Sequence, residues 1–262
     1  MKIKKVITNR PWILAENTLK MYRRVPMEVA VLPVGSTEPH NLHLPMGADC
    51  YQVEAIAERA CEIAWKKGGR AKSLPVVPYG SNSNFAGFPG FIHLNSGTHL
   101  AIFRDVVWSL EKYGVRKLVI INGHGGNFFQ PLLRDLWAKT NLFISLINWW
   151  QIDEKFIAKN FKIHGEHSDE METSMLLHLC PELVNPKDAD AGTVRIPRLK
   201  GLREGWVNYV KPWKTLTTNS GYGNPKFADR AKGRRFFDVI TRKIARYLIE
   251  LAKAKITPDF PY

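Results

Sequence analysis

Histidine and acidic side chains are concentrated in three short stretches of this chain. The stretches are GSTEPHNLHLPMGAD at residues 35–49, NGHGGN at 122–127 and HGEHSDEMETS at 164–174. Imidazole and carboxylate ligands without a thiolate suit Zn²⁺, Mn²⁺ or Fe²⁺ in a catalytic rather than a structural site. If the fold brings them together, the three stretches predict a metal centre.

The first stretch contains a carboxylate that is well placed to bridge two ions. Glu38 and His40 are two residues apart, so their side chains share one side of an extended segment. Asp49 comes at the start of a predicted helix, and one bridging aspartate with two further ligands for each ion would make a two-metal hydrolytic centre. His124 lies between glycines, which let the backbone turn sharply and approach a ligand closely.

Each of these residues also has an ordinary structural explanation when it is taken alone. A single histidine such as His40 is often a surface or hydrogen-bonded residue, and Asp49 could be a helix N-cap. The glycine turn at 123–126 could bind a phosphate at a helix N-terminus. Glu170 and Glu172 could form a solvated face at a helix start, favoured by the helix dipole. The metal interpretation therefore depends on the three clusters occurring together.

The elements that must position these clusters alternate between short apolar runs and longer helical patterns. Strands are predicted at 29–34, 73–78, 117–121 and 142–148, and helices at 52–67, 98–113, 129–140, 170–179 and 235–254. This order predicts a mostly parallel sheet flanked by helices on both faces. Open parallel sheets bind ligands beyond the carboxyl ends of their strands. The three clusters follow the first, third and fourth predicted strands, so they should converge on one edge.

Length and composition indicate an ordinary globular α/β protein. The 262 residues, 45% hydrophobic and 24% charged, fit one domain over 1–262. Residues 185–224 are irregular, and we interpret them as an insertion or lid. The chain has no apolar run near the roughly 18 residues of a membrane helix, and its N-terminus lacks the apolar stretch of a signal peptide. Three cysteines without CxxC spacing predict neither a disulfide framework nor a zinc knuckle, so we expect a cytoplasmic protein.

The net charge of +14 raises the question of an anionic partner. Lysine and arginine are spread along the chain, with modest clusters at 2–5, 66–72 and 230–235, and no nucleic-acid-binding motif accompanies them. This distribution favours a solvated basic surface, which could attract anionic substrates, over a nucleic-acid groove.

Taken together, the three stretches resemble the motifs of the creatininase family, the creatinine amidohydrolases and their relatives. Further similar stretches are PYG at 78–80, FPG at 88–90, GYGNP at 221–225 and AKG at 231–233. The resemblance covers roughly residues 10–250. It implies an α/β fold with a parallel sheet, two divalent metal ions (Zn, Mn or Fe), and a homo-oligomer, often a hexamer. The implied reaction is hydrolysis of a non-peptide C–N bond in a small cyclic amide or formamide.

The resemblance also implies roles for particular residues. Glu38 and His124 correspond to ligands of one ion, His40 to a ligand of the other, and Asp49 to the bridge. His167 matches the catalytic histidine of the family, and the acid in the ETS stretch is Glu172.

This chain departs from the family pattern at two places. Creatininase has a metal-binding glutamate two positions after the equivalent of His124, where this chain has Gly126. We therefore expect Glu172, or alternatively Glu170, to complete the second site. In addition, NSNF at 82–85 replaces the SxEH that many members have, and Phe91 replaces a threonine. These changes fall where the substrate would be held.

Metal-dependent amide hydrolysis is the leading hypothesis, and several alternatives stay open. Within the family they are a formamidopyrimidine deformylase-like enzyme, a peptide-trimming enzyme and an inosose hydrolase-like enzyme. Outside it they are a non-catalytic binder of phosphate ligands through the 123–126 turn and a nucleic-acid-binding protein on the same scaffold. Trp149, Trp150 and Phe85 are candidates for a flat aromatic pocket, with core or interface packing as the alternative.

Overall fold

A computed structural model describes residues 10–262, which form a four-stranded parallel sheet with helices on both faces. The strands are β1 (Val29–Val34), β2 (Ala71–Ser73), β3 (Lys117–Asn122) and β4 (Phe143–Asn148). Their order in the sheet is β2-β1-β3-β4, and all neighbours are parallel. The predicted α/β class and single domain are confirmed. The basic cluster at residues 2–5 lies outside the described part of the chain.

The helices are distributed along the whole described chain. They are α1 (Leu19–Arg24), α2 (Ala48–Lys66), α3 (Ser96–Lys112), α4 (Gln130–Trp137), α5 (Glu154–Asn160), α6 (Glu170–Leu179), α7 (Lys200–Arg203), α8 (Trp213–Leu216) and α9 (Arg230–Lys253). Within residues 10–262, none of them combines the length and the apolar character that crossing a membrane would require.

Side chains of the two central strands alternate between two apolar cores, as the period of a strand requires. The core that includes α2 and α9 contains Val29, Val31, Val119 and Ile121. The core that includes α3 and α4 contains Ala30, Leu32, Leu118 and Ile120. Burial on both faces explains why β1 and β3 are continuous apolar runs in the sequence.

The direction in which successive strands are added to the sheet reverses between β1 and β3. From β1 the chain passes through α2 to β2 on one side, and it then passes through α3 to β3 on the other side. In doubly wound sheets of this kind, the crevice at such a switch point is where ligands bind. Val34 pairs with Asn122, so β1 and β3 end at the same level and the loops that follow them face each other.

The strand predicted at 73–78 is wrong beyond Ser73, where β2 ends. Pro75 and Pro78 have no N–H to contribute to a ladder, and after Ser73 only Val77 forms a further bridge to β1. Three helices begin earlier than predicted, and α3 does so by only two residues, at Ser96. Helix α2 starts at Ala48, and α9 starts at Arg230, immediately after Asp229, whose side chain accepts a hydrogen bond from the Lys232 amide.

Residues 185–224 are mostly irregular and contain the two short helices α7 and α8. Most of this segment is exposed, but Trp213 in α8 is buried. Helix α8 therefore packs against the body of the protein, and the role of the segment as a lid stays a prediction.

Helices α6 and α9 pack so closely that Gly233 in α9 has no room for a side chain. A Cβ at this position would lie 1.8 Å from the Ser174 carbonyl oxygen in α6. We expect Gly233→Ala to lower the free energy of unfolding by about 1–3 kcal/mol, because the two backbones must move apart. Denaturant unfolding in the presence of EDTA measures this change.

Gly97 in α3 supplies the matched control, since a Cβ there has no atom within 4 Å. Gly97→Ala should be neutral or stabilising by up to about 1 kcal/mol, because alanine favours the helix over glycine. Equal effects of the two substitutions would show that the α6–α9 contact is not as close as described.

Candidate metal centre

The switch point between β1 and β3 brings the predicted site residues together. Glu38 and His40 lie in the loop after β1, and Asp49 lies in the first turn of α2. His124 lies in the loop after β3. The third cluster reaches the same place through the start of α6, with His167 just before the helix and Glu172 in its first turn.

Asp49 lies between two imidazoles, with one carboxylate oxygen facing each of them. Its Oδ1 is 3.1 Å from Nε2 of His40, and its Oδ2 is 3.2 Å from Nδ1 of His124. The same His124 nitrogen is 3.2 Å from Oε1 of Glu38. Two groups of possible ligand atoms result, each spanning less than 4.8 Å: Glu38 with Asp49 and His124, and His40 with Asp49 and Glu172. Asp49 belongs to both groups, which is the arrangement that a bridging carboxylate requires.

His167 forms a third possible group with Glu38 and His40. Its Nδ1 lies 3.6 Å from Oε1 of Glu38, and its ring centroid is 4.1 Å from that of His40. The structure therefore places His167 at the edge of the cluster, within reach of a group bound there.

Each of the three histidines has one ring nitrogen next to a backbone carbonyl. His40 Nδ1 is 3.0 Å from the Glu38 oxygen, His124 Nε2 is 3.3 Å from the Ser81 oxygen, and His167 Nε2 is 2.8 Å from the Pro39 oxygen. A carbonyl only accepts, so the nitrogen facing it must carry hydrogen. The opposite nitrogen of each ring then points at the carboxylates. Metal-binding histidines are usually held in this way, by a hydrogen bond from the nitrogen that does not bind the metal.

Two carboxylate oxygens in the cluster are buried without a hydrogen-bond partner, Glu38 Oε1 and Asp49 Oδ2. Buried carboxylates are costly unless a cation or hydrogen bonds compensate them. Both oxygens face His124 Nδ1 at 3.2 Å, outside hydrogen-bond geometry. An ion held between these atoms would satisfy both oxygens and the ring nitrogen. The donor set thus fits a divalent metal with imidazole and carboxylate ligands.

The pKa values in the cluster reflect burial and the close charges. Burial disfavours charge on His40, but the Asp49 carboxylate outweighs it and raises the pKa of His40 to about 9. Glu38 and Asp49 likewise overcome burial and raise the pKa of His124. Burial and the charge of His40 lower the pKa of His167 to about 4. Burial and nearby acids raise the pKa of Glu172 to about 8. The carboxylates thus attract cations to His40 and His124, and a metal ion can replace protons there.

The local structure of α6 separates the two candidate glutamates. Asp169 caps the helix by accepting hydrogen bonds from the amides of Met171 and Glu172. Glu170 accepts from the amides of Lys162 and Ile163 and pairs with Lys232 in α9, so it contacts the scaffold. Glu172 lies in the group with His40 and Asp49.

Left-handed backbone directly follows two of the histidines. Asn41, after His40, has φ 56°, and Ser168, after His167, has φ 55°. Residues other than glycine adopt this region at a cost, and they persist in it where surrounding contacts hold them. The Asn41 amide donates to the hydroxyl of Ser220 at 2.9 Å, which ties the loop after β1 to the 185–224 segment.

An aromatic wall lies beside His167. Phe85 and Trp213 stack with their centroids 4.9 Å apart, and both rings contact His167, at 5.2 and 5.0 Å. Trp149 is as buried as Phe85, but it packs against Phe236 in the core with α2 and α9. Trp149 therefore matches the core-packing alternative, and the partly buried Trp150 packs on it edge to face.

Sequence reasoning missed the residues that hold the cluster in place. They include Ser36 and Asn82, together with the backbone carbonyls of Pro39 and Ser81. A carbonyl has no sequence signal, and Asn82 lies far from the other clusters in the chain. His43, for which no ligand role was predicted, lies outside the three groups and contacts Thr173 through Nε2 at 2.8 Å.

Known proteins share this sequence pattern and this fold. The sequence model of the creatininase family, described as creatinine amidohydrolase, matches residues 15–248. A mycofactocin precursor peptide peptidase from Mycolicibacterium smegmatis is 29% identical over 224 residues, which is 83% of this chain and 82% of that protein.

Solved structures extend the similarity to three dimensions. A presumed creatinine amidohydrolase from Bacteroides fragilis superposes with a TM-score of 0.89 at 35% identity, covering 95% of this chain and 99% of the other. A mutant creatininase described as Zn–Zn type superposes with a TM-score of 0.75 at 27% identity, covering 92% and 98%. With the family model matching most of its length, the chain belongs to the creatininase family.

Proposed function

We propose that this protein is a metal-dependent hydrolase that cleaves a non-peptide C–N bond in a small cyclic amide or formamide. The observation that carries the proposal is the pair of donor groups that share Asp49. Glu38 and His124 would hold one ion, His40 and Glu172 would hold the other, and Asp49 would bridge them. The related proteins are named hydrolases, which supports the same class of reaction.

In this reaction the protein side chains would hold the ions in place and transfer the protons. Bound divalent ions would lower the pKa of a water ligand and polarise the carbonyl group under attack. His167 keeps Nδ1 free because its Nε2 faces the Pro39 carbonyl. That nitrogen could accept a proton from the attacking water and pass it to the departing nitrogen, and a Glu172 carboxyl that is not bound to an ion is the alternative proton donor.

The burial of the site residues supports a small substrate. Glu38, His40 and Asp49 are almost completely buried, and the Phe85–Trp213 pair limits the space beside His167. Flat apolar walls suit a planar ring. Hydrolysis of a peptide is the second candidate, because the Mycolicibacterium smegmatis relative is named a peptide peptidase.

The metal content of the purified protein tests the proposal. We expect about two transition-metal ions per chain, and we expect Asp49→Ala to lose both ions together with hydrolytic activity, because the bridge contributes to each site. Asp135→Ala, which removes an exposed aspartate on α4, is the control and should keep both. An Asp49→Ala protein that is active and free of metal would overturn the proposal.

Substrate panels separate the two candidate reactions. The panel contains creatinine, other cyclic amides, formamides and short peptides, each measured with the metal-loaded protein and with Asp49→Ala. Metal-dependent cleavage of cyclic amides or formamides alone supports the proposed reaction. Cleavage confined to peptides would assign the second candidate instead.

Glu172 and Glu170 form a matched pair for testing the second ion site. Glu172→Gln should lose about one ion per chain, because a neutral amide is a weaker ligand than a carboxylate. Glu170→Gln should keep both ions but destabilise the fold by about 1–3 kcal/mol, because it weakens the buried pair with Lys232. Elemental analysis and denaturant unfolding distinguish them. The assignment to Glu172 fails if Glu170→Gln is the variant that loses metal.

Gly126, which stands where creatininase has a ligating glutamate, leaves no room for a side chain. A Cβ there would lie 2.4 Å from His124 Nε2 and 2.4 Å from the Ser81 oxygen, the pair that fixes the His124 ring. We expect Gly126→Ala to weaken metal binding about 10–100-fold, as disturbed outer contacts of ligands typically do. Gly125→Ala is the control, because a Cβ there contacts no atom within 4 Å. Chelator competition measures both, and equal affinities would contradict this explanation of the glycine.

A further inference from the structure

The two carboxylate oxygens of Glu38 have different surroundings. Oε2 accepts a hydrogen bond from the hydroxyl of Ser36 at 3.1 Å. Oε1 has no hydrogen-bond partner and faces Nδ1 of His124 at 3.2 Å. One oxygen is therefore held by the protein, and the other is presented to the centre of the cluster.

The direction of the hydrogen bonds behind Glu38 is determined by Asn82. The Asn82 side-chain nitrogen lies 3.1 Å from the Thr37 carbonyl oxygen, which only accepts, so the amide group must face it with its NH₂. The same nitrogen lies 2.9 Å from the Ser36 hydroxyl oxygen. Ser36 thus accepts from Asn82, and its single proton is directed to Glu38.

Burial makes this chain of hydrogen bonds rigid. Ser36, Glu38 and Asn82 all have no exposed surface, so no solvent competes for their polar atoms. The backbone of Asn82 is itself held, because its amide donates to Nδ1 of His93 at 3.1 Å. Low dielectric surroundings strengthen such connected hydrogen bonds.

We propose that Asn82 and Ser36 are positioning residues that orient Glu38 so that Oε1 binds the ion shared with His124 and Asp49. Among the described bonds, the side chains of Ser36 and Asn82 make none to His40, Asp49 or Glu172, and His40 meets Glu38 only at its backbone carbonyl, 3.0 Å from Nδ1. Loss of the chain should therefore weaken one ion site and spare the other. The inference rests on the proposed metal centre.

Stepwise metal titration tests this division between the sites. The protein is stripped with EDTA, and Zn²⁺ or Mn²⁺ is returned in competition with a chromophoric chelator. Ser36→Ala removes the donor to Glu38, and Asn82→Ala frees the Ser36 hydroxyl to rotate away. In each variant we expect one of the two binding constants to fall about 10–100-fold, while the other stays unchanged.

Two further variants separate positioning from a general loss of structure. Asn84→Ala makes the same change within the same turn, outside the chain of hydrogen bonds, and should bind both ions normally. The double variant Ser36→Ala with Asn82→Ala should be no weaker than Ser36→Ala alone, because Asn82 acts through Ser36. Circular dichroism checks that each variant is folded. If Asn82→Ala does not fold, Ser36→Ala alone still tests the proposal.

The outcomes distinguish this inference from the proposed function. If the wild-type protein binds two ions and the folded variants bind both equally well, or lose both to the same extent, the positioning role is wrong. Additive losses in the double variant would also overturn it. A wild-type protein that binds no transition metal would instead overturn the proposed function, and the inference with it.

Discussion

Negative charge buried at one point of the sheet is the constraint on which the site depends. Glu38 and Asp49 bring carboxylates into a region that is almost free of solvent, and each has an oxygen without a partner. Such groups are costly unless a cation or hydrogen bonds compensate them. The imidazoles of His40 and His124 are the nearest groups that can carry positive charge, and their raised pKa values show how strongly the carboxylates attract it.

The sheet topology explains why this concentration of charge occurs at one place. Strands β1 and β3 are neighbours that end at the same level, and the loops after them supply Glu38, His40 and His124. Helix α2 follows the loop after β1 and contributes Asp49 from its first turn. The start of α6 closes the cluster from the side, held by its contact with α9. The apolar cores on both faces therefore fix the backbone from which all these polar side chains extend.

Much of this arrangement could be predicted from the sequence, because the signals were local. Continuous apolar runs identified β1 and β3, and the order of elements indicated which loops would meet. The limit of β2 could not be predicted well, since apolar residues continue past Ser73 and only Pro75 and Pro78 interrupt the pairing. The pairing of Glu170 with Lys232 could not be predicted either, because the two residues are 62 positions apart in the chain. Likewise, a tryptophan such as Trp149 could line a pocket, and only its packing against Phe236 shows that it belongs to the apolar core.

The pairing of Val34 with Asn122 has a consequence for folding. Glu38 follows one strand and His124 follows its neighbour, so an ion bound between them would join β1 to β3 across the edge of the sheet. A slip of one residue between these strands would move the two donors about 3.3 Å apart along the strand direction. Ion binding would therefore favour the native register over shifted alternatives. Because the unfolded chain lacks this arrangement, the protein would gain resistance to unfolding as free metal rises.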